Sequence, residues 1–368
     1  MTERVRVGVL MGGASSEREI SLASGKMIAE HLPRDRYEVV MLDTLALMTA
    51  NPKLTPEMRG RARALLAVGA EHEVLPERDH ALPASFQEQI REAAALAAPA
   101  TQVITVMGGA ARIDVAFLAL HGPYGEDGTI QGMLDIIGIP YVGSGTLASA
   151  LAMDKVMAKR VLGSEGVPTP RGIVVERADF KAEPEKDVRR VAEVLPAVVK
   201  PVRQGSSIGM SVVSDAAHIR RALTEAFVYD SRVLVEERVT GTELTVGVVG
   251  NRDLSALPVV EIVSKREFFD YRAKYDPALS EEICPARIPA EIAAGAQDLA
   301  IRAHRALDCR GLSRVDMIHG ESGLVVLEVN TMPGMTVNSL LPKAALAAGI
   351  PFGELLDRLV RLALEPED

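Results

Sequence analysis

The stretch Ser313–Gly334, SRVDMIHGESGLVVLEVNTMPG, places charged and amide side chains among valines and leucines. In a β-strand, residues two apart share a face. The side chains of Arg314 and Asp316 therefore point the same way, and so do those of Glu328 and Asn330. The intervening glycines and polar residues have the composition of a hairpin turn. The pattern predicts a two-stranded antiparallel ribbon.

The turn of this ribbon decides which polar side chains face each other. A three-residue loop that ends with a left-handed Gly323 places Asp316 opposite Glu328. The same register places Arg314 opposite Asn330. Two carboxylates, an amide and a guanidinium are then expected on one patch.

Like charges directly opposite each other destabilise a ribbon unless a positive charge lies between them. Ligands that are all oxygen suit a hard cation such as Mg²⁺, which commonly bridges to phosphate. A solvated polar face is the alternative that this stretch leaves open. On the metal interpretation, Asp316→Asn and Glu328→Gln should abolish most turnover and leave folding intact.

Composition sets the broad class. A chain of 368 residues is too long for one ordinary core, so two or three domains are expected. The net charge of −9 argues against a nucleic-acid or anionic-membrane surface. Cys284 and Cys309 form no CxxC pair, and their number suggests neither a zinc site nor a disulfide framework. Without a signal-peptide pattern or a bilayer-length apolar segment, a cytoplasmic protein is expected.

The order of apolar runs predicts two kinds of sheet. Strands alternate with helices in the first part of the chain, which indicates an open, mainly parallel sheet with ligands at the carboxyl ends of its strands. A single helix is predicted for SALAMDKVMAKRVLGSEG, and later strands look antiparallel, namely RVLVEERV, ELTVGVVG and LPVVEIV. Residues 44–111 reveal no chemistry.

The stretch VVKPVRQGSSIGM is the strongest phosphate candidate. Lys200 ends an apolar strand and leads into a loop with Gly205, Ser206, Ser207 and Gly209. Glycines let backbone N–H groups converge on an anion, and the lysine supplies charge. An ordinary flexible hairpin is the alternative. Neither a Walker A motif nor GxGxxG is present.

Two further segments could complete a nucleotide site. In VLVEERVTGTEL, Glu236 and Glu237 end a strand and could meet an adenine edge, while Glu243 could accept hydrogen bonds from ribose. An exposed acidic edge strand is the alternative. The segment EFFDYRAKYD clusters aromatic side chains beside Arg272 and Lys274, which indicates either a lid loop or a satellite hydrophobic cluster.

Nine ordered stretches resemble the D-alanine–D-alanine ligase family of the ATP-grasp superfamily along nearly the whole chain. They are GGASSEREISLASG, ALHGPYGEDGTIQG, GSGTLASALAMDK, VVKPVRQGSSIGMSVV, LVEERVTGTELTVGVVG, FFDYRAKY, CPA, SRVDM and LEVNTMPGMTVNSL. Only residues 44–111 lack a clear counterpart.

The resemblance implies an α/β chain, α+β overall, with the ATP-grasp fold and three domains. Residues 1–122 would form an N-terminal Rossmann-like domain with the parallel sheet. Residues 123–212 would form the central ATP-grasp subdomain with the glycine-rich phosphate loop. Residues 213–368 would form the C-terminal subdomain with the lid and the metal site.

The resemblance also implies binding roles. ATP would be held by Lys155, Lys200 and Ser207 at the phosphates, by Glu236, Glu237 and Val239 at adenine, and by Glu243 at ribose. Two Mg²⁺ ions, or Mn²⁺ as an alternative, would be bound by Asp316, Glu328 and Asn330.

Catalytic and substrate roles follow from the same resemblance. A hydrogen-bonded trio of Glu17, Ser206 and Tyr275 would link the first domain, the loop and the lid, and Arg314 with the Gly334 N–H would stabilise an oxyanion. The substrate-binding residues would be His121, Lys274, Ser339 and Leu340. From its own surroundings in sequence, at the carboxyl end of a strand, the favoured interpretation of His121 is a structural turn histidine.

The implied reaction joins two D-alanine molecules through an acyl phosphate, with ATP as the energy source, for cell-wall precursor synthesis. The Lys274-Tyr275 pair favours amide formation over ester formation with D-lactate. The resemblance also implies a homodimer without nucleic-acid binding or membrane insertion. The alternatives are another ATP-grasp carboxylate–amine ligase, a nicotinamide-dependent oxidoreductase and a non-catalytic nucleotide-binding regulator.

Overall fold

The computed structural model describes residues 4–13, 15, 17–45, 113–264 and 280–366. These residues form three sheets with helices packed between and around them. The predicted lid residues Lys274 and Tyr275 lie outside the described residues. Of the helices in the described ranges, none has the length and apolar character needed to cross a membrane.

The first sheet is parallel, as the sequence predicts. Its strand order is β2-β1-β3-β4, and its strands are β1 (Val5–Met11), β2 (Tyr37–Asp43), β3 (Val115–Leu118) and β4 (Tyr141–Val142). Helix α1 (Arg18–His31) follows β1 and packs on this sheet. Because parallel strands end at one edge, the segments after β1 and β3 bring Glu17 and His121 to the same side.

The second sheet is antiparallel and also has four strands. Its order is β5-β8-β6-β7, and its strands are β5 (Gly172–Glu176), β6 (Ala197–Pro201), β7 (Ser211–Val213) and β8 (Arg232–Glu237). The helical segments α5 (Arg177–Ala182), α6 (Pro184–Ala192), a 3₁₀ turn (Ala216–His218) and α7 (Ile219–Ala226) accompany it. Val191, Val199 and Leu223 belong to its fully buried core.

Helix α2 (Thr129–Ile137) connects β3 to β4 within the first sheet, and helices α3 (Thr146–Met153) and α4 (Lys155–Ser164) connect the first sheet to the second. The single helix expected for the last two is wrong, because the chain leaves helical geometry at Asp154. The Asp154 carboxylate accepts a hydrogen bond from the Met157 N–H at 3.1 Å and caps α4. Lys155 therefore becomes the first residue of α4.

The third sheet is antiparallel and carries the ribbon. Its order is β12-β11-β9-β13-β14 with β10 paired to β9, and its strands are β9 (Gly241–Gly250), β10 (Ser255–Ala256), β11 (Val260–Ser264), β12 (Ser280–Ile283), β13 (Gly311–Gly320) and β14 (Gly323–Asn330). Helices α8 (Ala290–Ala306), α9 (Leu340–Ala347) and α10 (Phe352–Leu364) complete the chain. One buried cluster joins this sheet to the first, through Val249, Leu312 and Leu355 together with Val9 and Phe117.

The predicted pairing of the ribbon is confirmed, but the predicted turn is wrong. Asp316 pairs with Glu328 and Arg314 with Asn330. Gly320 pairs directly with Gly323, so the loop has two residues instead of three. The register is restored because β14 bulges between the partners of Asp316 and Met317. Gly323 has φ 97°, which favours glycine at this turn.

The sheets bear on the domain limits. Strand β4 is hydrogen-bonded to β3, so the first sheet continues past residue 122 to Val142. Strand β8 is hydrogen-bonded to β5 and β6, so the second sheet continues past residue 212 to Glu237. Because a domain limit inside a hydrogen-bonded sheet would divide one core, we propose three domains with limits near residues 142 and 237.

Candidate functional site

The polar patch of the ribbon is built around Asp316. Arg314 donates to both of its carboxylate oxygens, from Nε and Nη2, each at 2.8 Å. Asn330 Nδ2 donates at 3.0 Å, and Thr245 Oγ1 of the neighbouring strand β9 donates at 2.6 Å. Asp316 is only 9% exposed. Charge-assisted bonds to both oxygens fix the Asp316 carboxylate and the plane of the Arg314 guanidinium.

Glu328 joins this patch to two other elements. Its Oε2 lies 3.8 Å from Lys155 Nζ, at the start of α4. The same ammonium donates to the Gln204 carbonyl at 2.6 Å, in the glycine-rich loop. The ribbon, α4 and the predicted phosphate loop therefore meet at one place.

The donor chemistry of the patch fits Mg²⁺. Among the described residues, no cluster of three or more His, Cys, Asp or Glu side chains could hold a metal ion. The predicted set instead combines two carboxylates, Asp316 and Glu328, with the Asn330 amide, which supplies oxygen. Oxygen donors with positive side chains close by are the setting in which Mg²⁺ binds together with phosphate.

The glycine-rich loop has an unusual backbone. Ser206, Ser207 and Gly209 have φ of 50°, 58° and 71°. Two successive non-glycine residues in the left-handed region are uncommon and mark sites of binding or catalysis. Ser206 Oγ donates to Glu17 Oε1, so the loop is joined to the edge of the first sheet. Two members of the implied trio are in contact, and Tyr275 lies outside the described residues.

Behind this loop, one buried carboxylate serves two lysines. Glu236 of β8 has a side chain only 3% exposed, and its two oxygens pair with Lys159 of α4 and Lys200 of β6. Burial would raise the pKa of Glu236, but the charges of Lys200 and Lys159 outweigh burial and hold that pKa below its usual value. The Glu236 carboxylate is therefore charged and occupied, and the sequence analysis did not foresee its two partners.

The other residues expected at the nucleotide lie on the crossing from the second sheet to the third. Glu237 accepts hydrogen bonds from the Arg171 N–H at 2.9 Å and from Arg171 Nε at 3.1 Å. Val239 follows β8, and Glu243 lies three residues into β9, paired with Ile318 of β13.

His121 is buried at the carboxyl edge of the first sheet. Its Nδ1 lies 3.7 Å from Glu126 Oε1, and its Nε2 is buried without a hydrogen-bond partner among the described residues. Burial disfavours the imidazolium, but the hydrogen bond and charge of Glu126, with a contribution from Glu17, raise the pKa of His121 above its usual value. A buried ring with one unpartnered nitrogen favours a binding residue over the structural turn histidine.

The predicted acceptor residues meet at the start of α9. Ser339 is the N-cap, and Leu340 is the first helical residue. Ser339 Oγ accepts from the Thr336 N–H at 3.1 Å. A Cβ on Gly334 would lie 3.0 Å from Ser339 Oγ, so this position favours glycine. A helix N-terminus with free N–H groups is a common place for a carboxylate.

Three residues of this region were missed from the sequence: Lys159, Thr245 and Glu126. Lys159 stands four residues after Lys155 on one helix, a spacing that puts both side chains on one face. That spacing was a usable signal. Thr245 acts through a pairing that only the folded sheet order brings about, whereas Glu126 follows His121 closely in the sequence, which was a usable local signal.

Comparison with known proteins supports the resemblance. Residues 6–144 match the family model described as D-ala D-ala ligase N-terminus, and residues 161–361 match D-ala D-ala ligase C-terminus. A D-alanine–D-alanine ligase of Syntrophobacter fumaroxidans is 41% identical, with 99% of each chain covered. One of Desulforudis audaxviator is 42% identical, covering 98% of this chain and 99% of its own.

Solved structures agree. The D-alanine–D-alanine ligase of Bacillus anthracis complexed with ATP has a TM-score of 0.70 and 33% identity, covering 99% of this chain and 98% of its own. The VanG D-Ala:D-Ser ligase of Enterococcus faecalis has a TM-score of 0.73 and 30% identity, covering 98% of this chain and all of its own. The expected fold is thereby confirmed, and the chain belongs to the D-alanine–D-alanine ligase family.

Proposed function

We propose that this chain is an enzyme that joins two D-alanine molecules to D-alanyl-D-alanine, converting ATP to ADP and phosphate, for peptidoglycan precursor synthesis. The observation that carries the proposal is the meeting of three elements at Lys155, whose ammonium contacts Glu328 of the ribbon and Gln204 of the loop. Family membership points to the substrates. The meeting point offers a place where a phosphate and a carboxylate can react.

ATP is proposed to lie between the second and third sheets. Lys155 and Lys200 contact its phosphates, together with Ser207 of the left-handed loop. Adenine is held beside Glu236, Glu237 and Val239, and ribose beside Glu243. The two lysines and the loop amides supply locally the positive charge that a chain of net charge −9 lacks overall.

Asp316, Glu328 and Asn330 are proposed to hold two Mg²⁺ ions, with Mn²⁺ as an alternative. When bound, Mg²⁺ neutralises charge on the phosphoryl group during its transfer. Two hydrogen bonds to Asp316 fix the plane of the Arg314 guanidinium, so the direction of its other N–H groups is fixed as well.

In the first step, a carboxylate oxygen of one D-alanine attacks the γ-phosphorus of ATP, and the bond to ADP breaks. The product is D-alanyl phosphate, whose carbonyl is a far better electrophile than a carboxylate. His121 lies near the first D-alanine, where its unpartnered Nε2 can donate a hydrogen bond to the substrate. Glu17, Ser206 and Tyr275 link the first domain, the loop and the lid. The lid shields the acyl phosphate from water.

In the second step, the neutral amine of the other D-alanine attacks the carbonyl carbon. The oxyanion of the tetrahedral intermediate is stabilised by Arg314 and the Gly334 N–H. The intermediate then expels phosphate, which carries away the proton lost by the attacking nitrogen, and leaves the new amide. Ser339 and Leu340 take the carboxylate of the attacking D-alanine at the N-terminus of α9, with Lys274 of the lid.

The proposal is tested by phosphate release from ATP with and without D-alanine, with the product identified by mass spectrometry. We expect phosphate release to depend on D-alanine and the dipeptide to form in equal amount. ATP turnover that ignores D-alanine but responds to another amino acid would support a different ATP-grasp carboxylate–amine ligase.

The acceptor is the finer part of the proposal. The Lys274-Tyr275 pair favours D-alanine used through its amine, whereas a protein of the same fold is a D-Ala:D-Ser ligase. Competition of D-alanine with D-serine, D-lactate and L-alanine at neutral pH separates these acceptors. Mainly depsipeptide or D-alanyl-D-serine in the product would overturn the assignment. Because the amine must be unprotonated, activity should rise from neutral to mildly alkaline pH.

We also propose that the enzyme acts in the cytoplasm and as a homodimer. ATP as a substrate supports the location, and the family resemblance supports the dimer. Light scattering of the purified full-length chain tests the oligomeric state. A mass of one chain at micromolar concentration would contradict the dimer.

A further inference from the structure

The buried carboxylate of Glu236 is shared by two lysines from different elements. Lys159 Nζ of α4 donates to one oxygen, and Lys200 Nζ of β6 pairs with the other. Lys159 Nζ also donates to the Pro170 carbonyl. All three side chains are at most 16% exposed, so water compensates their charges poorly.

Helix α4 is tied to strand β8 at two points. The Asp154 carboxylate at the start of α4 pairs with Arg232 at the start of β8. Lys159, one turn later, pairs with Glu236 near the end of β8. Two ion pairs therefore join the helix to the strand, one with its acid on the helix and one with its acid on the strand. Together they hold Lys159 at the Glu236 side chain.

The two lysines differ in what else they are expected to do. The proposed function places Lys200 at the ATP phosphates, and the present inference rests on that placement. A lysine that was the sole partner of a buried carboxylate could turn to a phosphate only by leaving that carboxylate uncompensated. Breaking a buried ion pair in this way is strongly unfavourable. With Lys159 present, Glu236 keeps a partner.

We propose that Lys159 is a positioning residue: it remains with Glu236 as its counter-ion, so that Lys200 can contact the nucleotide phosphates. Lys159 itself touches the Glu236 carboxylate and the Pro170 carbonyl and acts on ATP only through them. Burial lowers the pKa of Lys159 and outweighs the attraction of Glu236, which raises that pKa. The charge of Lys200 lowers it by a smaller amount.

The test is a set of full-length variants titrated with a non-hydrolysable ATP analogue and Mg²⁺ by calorimetry. Lys159→Met removes the ammonium and keeps an unbranched side chain. Arg160→Met is the matched control, because it makes the same change of charge at an exposed position of the same helix. We expect Lys159→Met to raise the Kd for the analogue by roughly tenfold or more and Arg160→Met to change it less than about twofold. Lys159→Arg should restore most of the affinity.

A double-mutant cycle separates this role from general support of the fold. In Glu236→Gln, no buried carboxylate needs a counter-ion, so adding Lys159→Met should change the Kd less than about twofold. The effect of Lys159→Met must therefore be much larger in the wild-type background than in the Glu236→Gln background. Equal effects in both backgrounds would overturn the proposal, as would an unchanged Kd in Lys159→Met alone. If Lys159→Met alone does not fold, the double variant still provides a test. A tenfold rise of the Kd on adding Lys159→Met to Glu236→Gln would overturn the proposal.

Steady-state kinetics add a readout that a structural role would not give. Lys159→Met should raise the KM for ATP and leave the KM for D-alanine within about twofold of the wild-type value. A uniform loss of kcat with both KM values unchanged would count against the proposal. The calorimetric titration contains no D-alanine, so it still tests Lys159 if the wild-type chain binds the nucleotide but shows no D-alanine-dependent turnover. Nucleotide binding without D-alanine-dependent turnover would reject the proposed function and leave the role of Lys159 to be decided by the titration.

Discussion

The ribbon offers two substitutions of similar chemistry, Glu328→Gln and Asp316→Asn. Each removes one carboxylate charge and keeps the shape of the side chain. The sequence alone predicts one outcome for both, with folding intact and turnover lost. The structure separates them, because the two carboxylates differ in burial and in hydrogen bonding.

The difference can be estimated from the contacts. Asp316 is 9% exposed and accepts hydrogen bonds from Arg314, Asn330 and Thr245. In Asp316→Asn, the new amide N–H groups face donors, and the Arg314 guanidinium, whose side chain is 14% exposed, loses charge-assisted hydrogen bonds to both oxygens. We expect this to cost about 2–4 kcal/mol of unfolding free energy. The Glu328 side chain is 27% exposed and lies 3.8 Å from Lys155, so Glu328→Gln should cost only about 0–1 kcal/mol.

The variants are compared by thermal melting and by phosphate release from ATP in the presence of D-alanine. Glu328→Gln should melt within about 2 °C of the wild-type protein, and Asp316→Asn roughly 4–10 °C lower. Both should turn over roughly 100-fold more slowly or worse, because metal-assisted charge neutralisation contributes several kcal/mol. Glu321→Gln, in the exposed turn of the same ribbon, is the control and should change neither quantity.

Two results would refute the reasoning. If Glu328→Gln lowered the melting temperature as much as Asp316→Asn, the Glu328 charge would serve folding and not a bound cation. If Glu328→Gln kept wild-type turnover, Glu328 would not be a metal ligand. Loss of activity together with an unchanged melting temperature in Glu328→Gln is the combination that the structure predicts.

Three further predictions concern other parts of the chain. Ser206→Ala removes the hydrogen bond to buried Glu17, so turnover should fall and the free energy of unfolding in urea should drop by about 1–3 kcal/mol; no change in either would contradict the link. Glu126→Gln should lower the pKa of His121 in an NMR titration, because Glu126 raises that pKa, and an unchanged titration would reject the pairing. The stabilisation by His121 is present below its unfolded pKa of about 6.5 and is lost as pH rises through the raised folded value. Burial lowers the pKa of His304 to about 4, so its contribution to stability is present above pH ~6.5 and falls by a few kcal/mol as pH drops towards 4. His304→Gln should flatten this part of the stability–pH profile, and an equally steep profile would show that other groups cause the slope.

The ribbon shows what local sequence can and cannot predict. Alternation of charged and apolar residues correctly identified the two strands and the facing pairs Asp316–Glu328 and Arg314–Asn330. The turn was predicted one residue too long, and the bulge in β14 compensates for that error. The bulge lies in β14, the edge strand that pairs with β13, and the alternation of charged and apolar residues gives no local signal of it.

Contacts between distant segments were less accessible. Ser206 and Glu17 are 189 residues apart, and their link followed from the family resemblance and not from periodicity. Lys159 and Glu236 are 77 residues apart and were not expected to pair. The charge of Glu236 made it a candidate for adenine, but its local sequence could not show that two lysines occupy the carboxylate. Pairing of buried charges depends on sheet order, which a propensity argument does not provide.

The two lysines proposed for the ATP phosphates are both paired with carboxylates in this structure, but their partners differ in exposure. Glu328, the partner of Lys155, is 27% exposed, so water can solvate it when the lysine turns to a phosphate. Glu236, the partner of Lys200, is 3% exposed, so water cannot take the place of a cation there. A second lysine is needed only at the buried carboxylate, and Lys159 is found at that carboxylate. The burial of Glu236 thus explains why Lys200 shares its carboxylate with another lysine. The greater exposure of Glu328 explains why Lys155 can act without a second cation.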